Sequence, residues 1–238
     1  MKDLWFAINC YRESLMLPGC IESIRRYAPG AKIIAVDGAY QSLISEVEKE
    51  VAVCITQRHF EVAENLKPFL NPESDDGTLE ILNDFKVDKV IRCDQGSGGK
   101  PLPWINEYTK RSKYFVGSKG DYYFVIDADE RLVGSIEMEL VSDAYNVVLK
   151  RDDNTPGYKI LRIFKHQDGM QYRGAHHALW VGEMLYRKEM CKTIQGCILE
   201  HHQTYRVRRE PLRNVVKGLY YRALVAREEG AFRAQHGL

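Results

Sequence analysis

Asp121-Tyr122-Tyr123-Phe124-Val125-Ile126-Asp127-Ala128-Asp129-Glu130 is an apolar, aromatic and β-branched run that turns acidic within one residue. Residues 122–126 suit a buried strand. The run ends on three carboxylates: Asp127, Asp129 and Glu130. In a sheet of parallel strands, ligands bind beyond the carboxyl ends, which is where these acids would be delivered. Residues two apart on a strand point to the same side. Asp127 and Asp129 are therefore read as two carboxylates presented to one ligand; the alternative is a surface turn.

Working outward, Leu4 to Ile8 is a short apolar strand, and Glu13 to Tyr27 carries Met16, Cys20, Ile24 and Tyr27 at helical spacing. Pro29-Gly30 ends that helix, and Lys32 to Val36 is a β-branched strand that stops at Asp37-Gly38. Strand, helix, strand makes a βαβ unit and calls for a parallel sheet. Residues 40–71 read as one or two helices, with Val51 to Thr56 open to a strand reading. A loop at 72–77 precedes a short helix from Thr78 to Phe85, capped by Ser74 or Asp76. Further strands are expected at 89–92, 146–150 and 159–164, and helices at 104–115 and 211–229. No repeat, low-complexity tract or linker divides the chain, so 1–238 is read as a single domain.

Composition sets bounds on function. The 238 residues are 45% hydrophobic and 28% charged with a net charge of +1, which is ordinary for one α/β domain and gives no field that demands nucleic acid or lipid. The sign is uneven: from Arg206 onward eight basic residues face three acids, so the body is acidic and the tail basic. That tail would help hold an anionic ligand or form a solvated helix face. Six scattered cysteines form no CxxC pair, which fits reduced thiols rather than zinc or disulfides. The first residues lack the apolar core of a signal peptide, and no run reaches the ~18 apolar residues of a membrane helix. A cytoplasmic protein is expected.

Two clustered carboxylates repel and call for a counter-charge. Oxygen ligands of this kind favour Mg²⁺ or Mn²⁺, with substrate phosphates completing the shell. Such an ion would neutralise a departing nucleoside diphosphate. Gln95 to Pro101 looks like a phosphate loop but lacks the GxxxxGK[ST] spacing, and no GxGxxG follows the first strand. It is read as a mobile loop over the site.

Four segments in order resemble glycosyltransferase family 2, whose fold is GT-A: INCYRES at 8–14, IAVDGAY at 34–40, SDDGTLEIL at 74–82 and YTKRSKYFVGSKGDYYFVIDADERL at 108–132. The resemblance implies a Rossmann-like α/β fold, a mostly parallel central sheet flanked by helices, with a basic C-terminal helix. It implies transfer of a sugar from a nucleoside-diphosphate sugar, UDP among the candidates, to a hydroxyl on a glycan, protein, lipid-linked intermediate or modified base. Residues 1–132 would bind the donor and 133–238 the acceptor. Asp37 would accept a hydrogen bond from the base with Glu13 nearby, and Lys110 and Arg111 would face the nucleotide or diphosphate. The alternatives are a turn cap for Asp37 and a solvated helix face for the basic pair. Asp127 would meet ribose or metal, and Asp129 the metal.

The second half resembles the family through RIFKHQDGMQYRGAHHAL at 162–179 and LEHHQTYRVRREPLRNVVKGLYYR at 199–222. His177 stands where the family often has a carboxylate and is the candidate general base, or it packs or binds acceptor. His201 would complete the metal shell or touch diphosphate. Lys217 and Tyr220 would face the same cleft. A sugar nucleotidyltransferase, a catalytically inactive module of the same fold and a nucleic-acid enzyme are the rival readings.

Overall fold

The computed structural model describes residues 3–95, 99–153, 155–173, 178–182, 184–212, 215–216, 218–219 and 221. The chain opens with β1 (Leu4–Asn9), α1 (Leu17–Tyr27) and β2 (Lys32–Val36), the βαβ unit that the sequence requires. Helix α1 starts four residues later than its apolar spacing suggests. Pro18 sits in its first turn, and Glu13 O instead accepts from the amides of Met16 and Leu17. It buries Leu17, Cys20, Ile21 and Ile24 on one stripe.

The ambiguous stretch is helical. Helix α2 (Gln41–Thr56) is followed by α3 (Phe60–Leu66) and a 3₁₀ turn at Lys67–Leu70. Val51 to Thr56 is thus not a strand but the end of α2. Its Val51 and Cys54 extend a buried stripe begun by Leu43, Ile44 and Val47 at three- and four-residue steps. Helix α4 (Thr78–Asp84) begins after Gly77, with Asp76 Oδ1 accepting from the Thr78 amide and hydroxyl. Strand β3 (Lys89–Ile91) and the small pair β4 (Asp94–Gln95) and β5 (Pro101–Leu102) follow.

Helix α5 (Glu107–Gly117) starts after Asn106, whose side chain accepts from the Thr109 amide at 2.8 Å. Trp104, expected inside that helix, instead lies against Tyr40 in an isolated bridge. Then come β6 (Tyr122–Asp127), β7 (Glu130–Gly134), β8 (Ala144–Arg151), β9 (Tyr158–Lys165), β10 (Met170–Arg173), β11 (Ala178–Val181), β12 (Met184–Leu185), β13 (Lys192–His201) and α6 (Gln203–Arg209). Helix α6 was not anticipated. The described residues of 211–221 are helical too, within the basic C-terminal helix expected there.

Eight strands form one sheet in the order β3-β2-β1-β6-β9-β8-β13-β7. Four of the seven neighbouring pairs are parallel, and β9 and β7 supply the antiparallel ones. The fold is therefore α/β and Rossmann-like, with helices on both faces of a mostly parallel sheet. Alternation along the central strands shows why. Phe6, Ile8, Phe124 and Ile126 face a core shared with α1, while Trp5, Ala7, Tyr123 and Val125 face one shared with α5. Five of the six cysteines are buried, four of them in these two layers and Cys54 where α2 meets α3, and all six are free thiols. Among the described residues no helix is long and apolar enough to cross a membrane.

Candidate functional site

The parallel register of β1 and β6 sets Asn9 beside Asp127 at their carboxyl ends. A cavity of about 600 Å³ opens there, with Asn9, Glu13, Asp127, Asp129, Arg111, Arg162 and Arg206 in its wall. That volume suits a ligand of several rings. Residues 1–132 contribute Tyr11, Tyr40 and Phe69 to its lining, and residues 133–238 contribute Leu161, Phe164, Tyr172 and Leu179.

Asp127 is the centre of one charge cluster. Its Oδ1 accepts from Arg111 Nη2 at 2.9 Å and its Oδ2 from Arg162 Nη2 at 3.0 Å. Arg111 reaches it from α5, where Glu107 one turn earlier holds Arg111 Nε at 3.1 Å. Arg162 arrives on β9 and also pairs with Glu130 Oε1, while Glu130 Oε2 accepts from the Asp127 amide at 2.9 Å. Burial pushes the Glu130 carboxyl up to about 7, opposed by Arg162. Burial works against the charge on Arg162, yet Glu130 and Asp127 outweigh it and hold its pKa above the ordinary value.

Asp129 is the centre of a second. The pair was expected on one strand face, but β6 ends at Asp127 and Asp129 sits in the turn before β7. It is nearly sealed, at 3% exposure. Arg206 of α6 donates from Nη1 to Asp129 Oδ2 at 2.5 Å and from Nη2 to Glu13 Oε2. His201 Nε2 lies 3.4 Å from the same Asp129 oxygen. Burial lowers the His201 pKa, but the hydrogen bond and charge of Asp129 more than reverse this and raise it. The His202 amide donates to Asp129 O at 2.8 Å, so the end of β13 is tied to this turn.

Two sequence-predicted residues do not reach the cavity. Asp37 is fully buried: its carboxylate accepts from Ser74 Oγ at 2.6 Å and the Ser74 amide at 3.2 Å. Burial raises its pKa, against Lys110 and the Ser74 bonds. Lys110 is fully buried too, with Nζ donating to Gly38 O at 2.7 Å and to Cys10 O. Burial pulls its ammonium down to about 8, opposed by Asp37. Neither lines the cavity, and neither Lys110 nor Arg111 is on a solvated helix face. Gly38 shows how tight this knot is: its φ is +111°, and a Cβ added there would lie only 2.7 Å from Cys93 Cβ. Trp104 Nε1 closes it by donating to Asp37 O at 2.7 Å.

Glu13, Arg111, Asp127 and Asp129 are thus brought together, with His201 against Asp129. His177, Lys217 and Tyr220 lie outside the described residues. Sequence reasoning missed Glu107, Arg162 and Arg206 and gave Glu130 no role. A signal existed for two of them: Glu107 stands four residues before Arg111, and Arg162 interrupts an apolar strand.

The oxygen donors Asp127 and Asp129 are of the right kind for Mg²⁺ or Mn²⁺, but their arrangement does not fit one. Both oxygens of Asp127 are engaged by guanidinium groups, and Arg206 stands between Asp129 and Glu13. Mg²⁺ needs oxygens at about 2.0–2.1 Å, space that these N–H donors take. Among the described residues no group of three His, Cys, Asp or Glu side chains converges as a metal cage would.

No protein-family model and no curated protein matches the chain. Solved structures of S. aureus TarS are similar to it. TarS 1-349 in complex with UDP aligns with TM-score 0.40 and 11% identity over 65% of this chain and 37% of that one. TarS 1-349 in complex with UDP-GlcNAc gives TM-score 0.39 and 10% identity over 65% and 36%. The chain thus spans little more than a third of the TarS 1-349 chains it resembles, and a likeness this distant transfers no role to any residue.

Proposed function

We propose that this chain moves a sugar from a nucleoside-diphosphate sugar to a hydroxyl acceptor. The observation that carries the reading is the acid–arginine floor at the carboxyl ends of β1 and β6, beneath a cavity of about 600 Å³. Carboxylates there suit the hydroxyls of a ribose or sugar as acceptors. The guanidinium groups of Arg111 and Arg162 bias the same floor toward phosphate. In the transfer, the bond from the anomeric carbon to the diphosphate oxygen breaks, and the acceptor oxygen bonds to that carbon. The acceptor's proton must go to a base, and negative charge grows on the leaving diphosphate.

Residues 1–132 supply the donor side in this reading and 133–238 the acceptor side, whose wall of Phe164, Tyr172 and Leu179 is apolar. His177 is the candidate base, and Lys217 a candidate partner of the diphosphate. The metal-binding roles read for Asp127, Asp129 and His201 enter no step here.

Thermal-shift titration with UDP, GDP, CDP and TDP, each in EDTA and in Mn²⁺, tests the donor site. A ligand at 100 times its Kd adds about 2.7 kcal/mol. Stabilisation by one diphosphate, weakened in Asp127→Asn, supports the reading, and a donor sugar consumed without pyrophosphate release separates it from nucleotidyl transfer. No stabilisation by any of the four in either medium overturns it.

A further inference from the structure

Two carboxylates from separate chain segments meet on one side chain: Glu13 after β1 and Asp129 in the β6–β7 turn, with His201 at the end of β13 against the same Asp129. What stands between the two carboxylates is a guanidinium. Arg206 touches both carboxylates, its side chain only 4% exposed, and Asp129 Oδ2 takes both its Nη1 at 2.5 Å and the His201 Nε2 at 3.4 Å. Burial disfavours the charge on Arg206, but Glu13 and Asp129 outweigh it and raise its pKa, so it is a permanent cation. An arginine held this way neutralises the pair without the short oxygen distances and fixed geometry that a divalent ion imposes.

We propose that Arg206 is the resident counter-ion of the Glu13–Asp129 pair and competes directly with a divalent cation for it. One positive group at a time can occupy the space between these carboxylates. A cation that enters must displace the Arg206 guanidinium. The rest of α6 need not move, because its first turn is held separately: Asp152 accepts from the amides of Thr204 and Tyr205 at 3.0 Å each. The displaced guanidinium stays at the cavity wall, where an anionic ligand would meet it. The exclusion concerns the carboxylate pair itself and holds whatever ligand the cavity takes.

Mn²⁺ binding, followed by electron paramagnetic resonance on the full chain without nucleotide, tests the competition. Arg206→Gln removes the charge and should bind Mn²⁺ at least tenfold more tightly than the wild-type protein. Arg206→Lys, which keeps a cation but loses the fork, should fall between them and serves if the glutamine variant does not fold by circular dichroism. Asp129→Asn should lose the binding. Equal or weaker Mn²⁺ binding in a folded Arg206 variant overturns the proposal, as does binding that survives Asp129→Asn or is absent from every protein. Nucleoside-diphosphate titration in EDTA reads the transfer hypothesis separately.

Discussion

Two regions of buried charge lie at the carboxyl ends of the central strands, and they do different things. Behind β2, Asp37, Ser74 and Lys110 form a closed knot that ties together the ends of β1 and β2 and the loop before α4. Beyond β6, Asp127 and Asp129 are held by arginines but face a cavity. Residue type does not separate them, since both are strand-end aspartates with a buried cation. The partner does: the Lys110 ammonium caps backbone carbonyls away from the cavity, whereas Arg111, Arg162 and Arg206 pair with carboxylates in the cavity wall.

The comparison breaks first at Lys110. Lys110→Met leaves Asp37 without its cation and two buried carbonyls without a donor, which costs about 3–5 kcal/mol. Urea unfolding should show this loss, while the folded fraction binds nucleoside diphosphate as the wild type does; a matching loss of affinity would place Lys110 in the site after all. Asp127→Asn should do the reverse. Turnover falls by about 100-fold or more, read from initial rates of nucleotide release, with a smaller stability loss than at Lys110 because Glu107 and Glu130 still pair Arg111 and Arg162. A change of only a few-fold would make the Asp127 cluster as structural as its neighbour.

Ser74→Ala sharpens the contrast at about 1–3 kcal/mol, measured by the same urea curves, because a buried carboxylate loses its shortest donor. The finest test is a slope. Lys110 titrates near 8 in the folded chain and at about 10.4 when unfolded. Between those values the unfolded chain holds a proton that the folded chain has shed, so Lys110 contributes a rise of unfolding free energy with pH, set against the fall from buried thiols such as Cys93 and Cys197 that only the folded chain keeps protonated. In Lys110→Met this rise is absent, and a wild-type curve of equal slope would remove the buried ammonium from the account.

Much of the sheet was legible because its strands are apolar on both faces and short: LWFAI, KIIAV and YYFVI have no rival assignment. Val51 to Thr56 was not, since a β-branched run looks the same at the end of a buried helix, and only the stripe from Leu43 settles it. The short strands β10, β11 and β12 and helix α6 carry too few residues to show a period. In the site, the acids announced themselves by following an apolar strand. Their partners did not. Arg162 and Arg206 lie 35 and 77 residues from the aspartates they hold; Arg162 stands out in its apolar strand, but nothing local says which acid either arginine meets until the strands are placed. Asp37 and Lys110 carried a family role that does not fit their complete burial.

The distribution of thiols has a practical consequence. Cys10, Cys20, Cys54, Cys93 and Cys197 are buried, and Cys191 alone is partly open, beside the apolar layer that includes Phe164 and Tyr172. Burial holds its pKa above the ordinary thiol value, as it does more strongly for Cys197. A maleimide fluorophore at limiting dose and mildly alkaline pH would thus attach there first, giving the native chain a spectroscopic reporter next to the wall where an acceptor would dock.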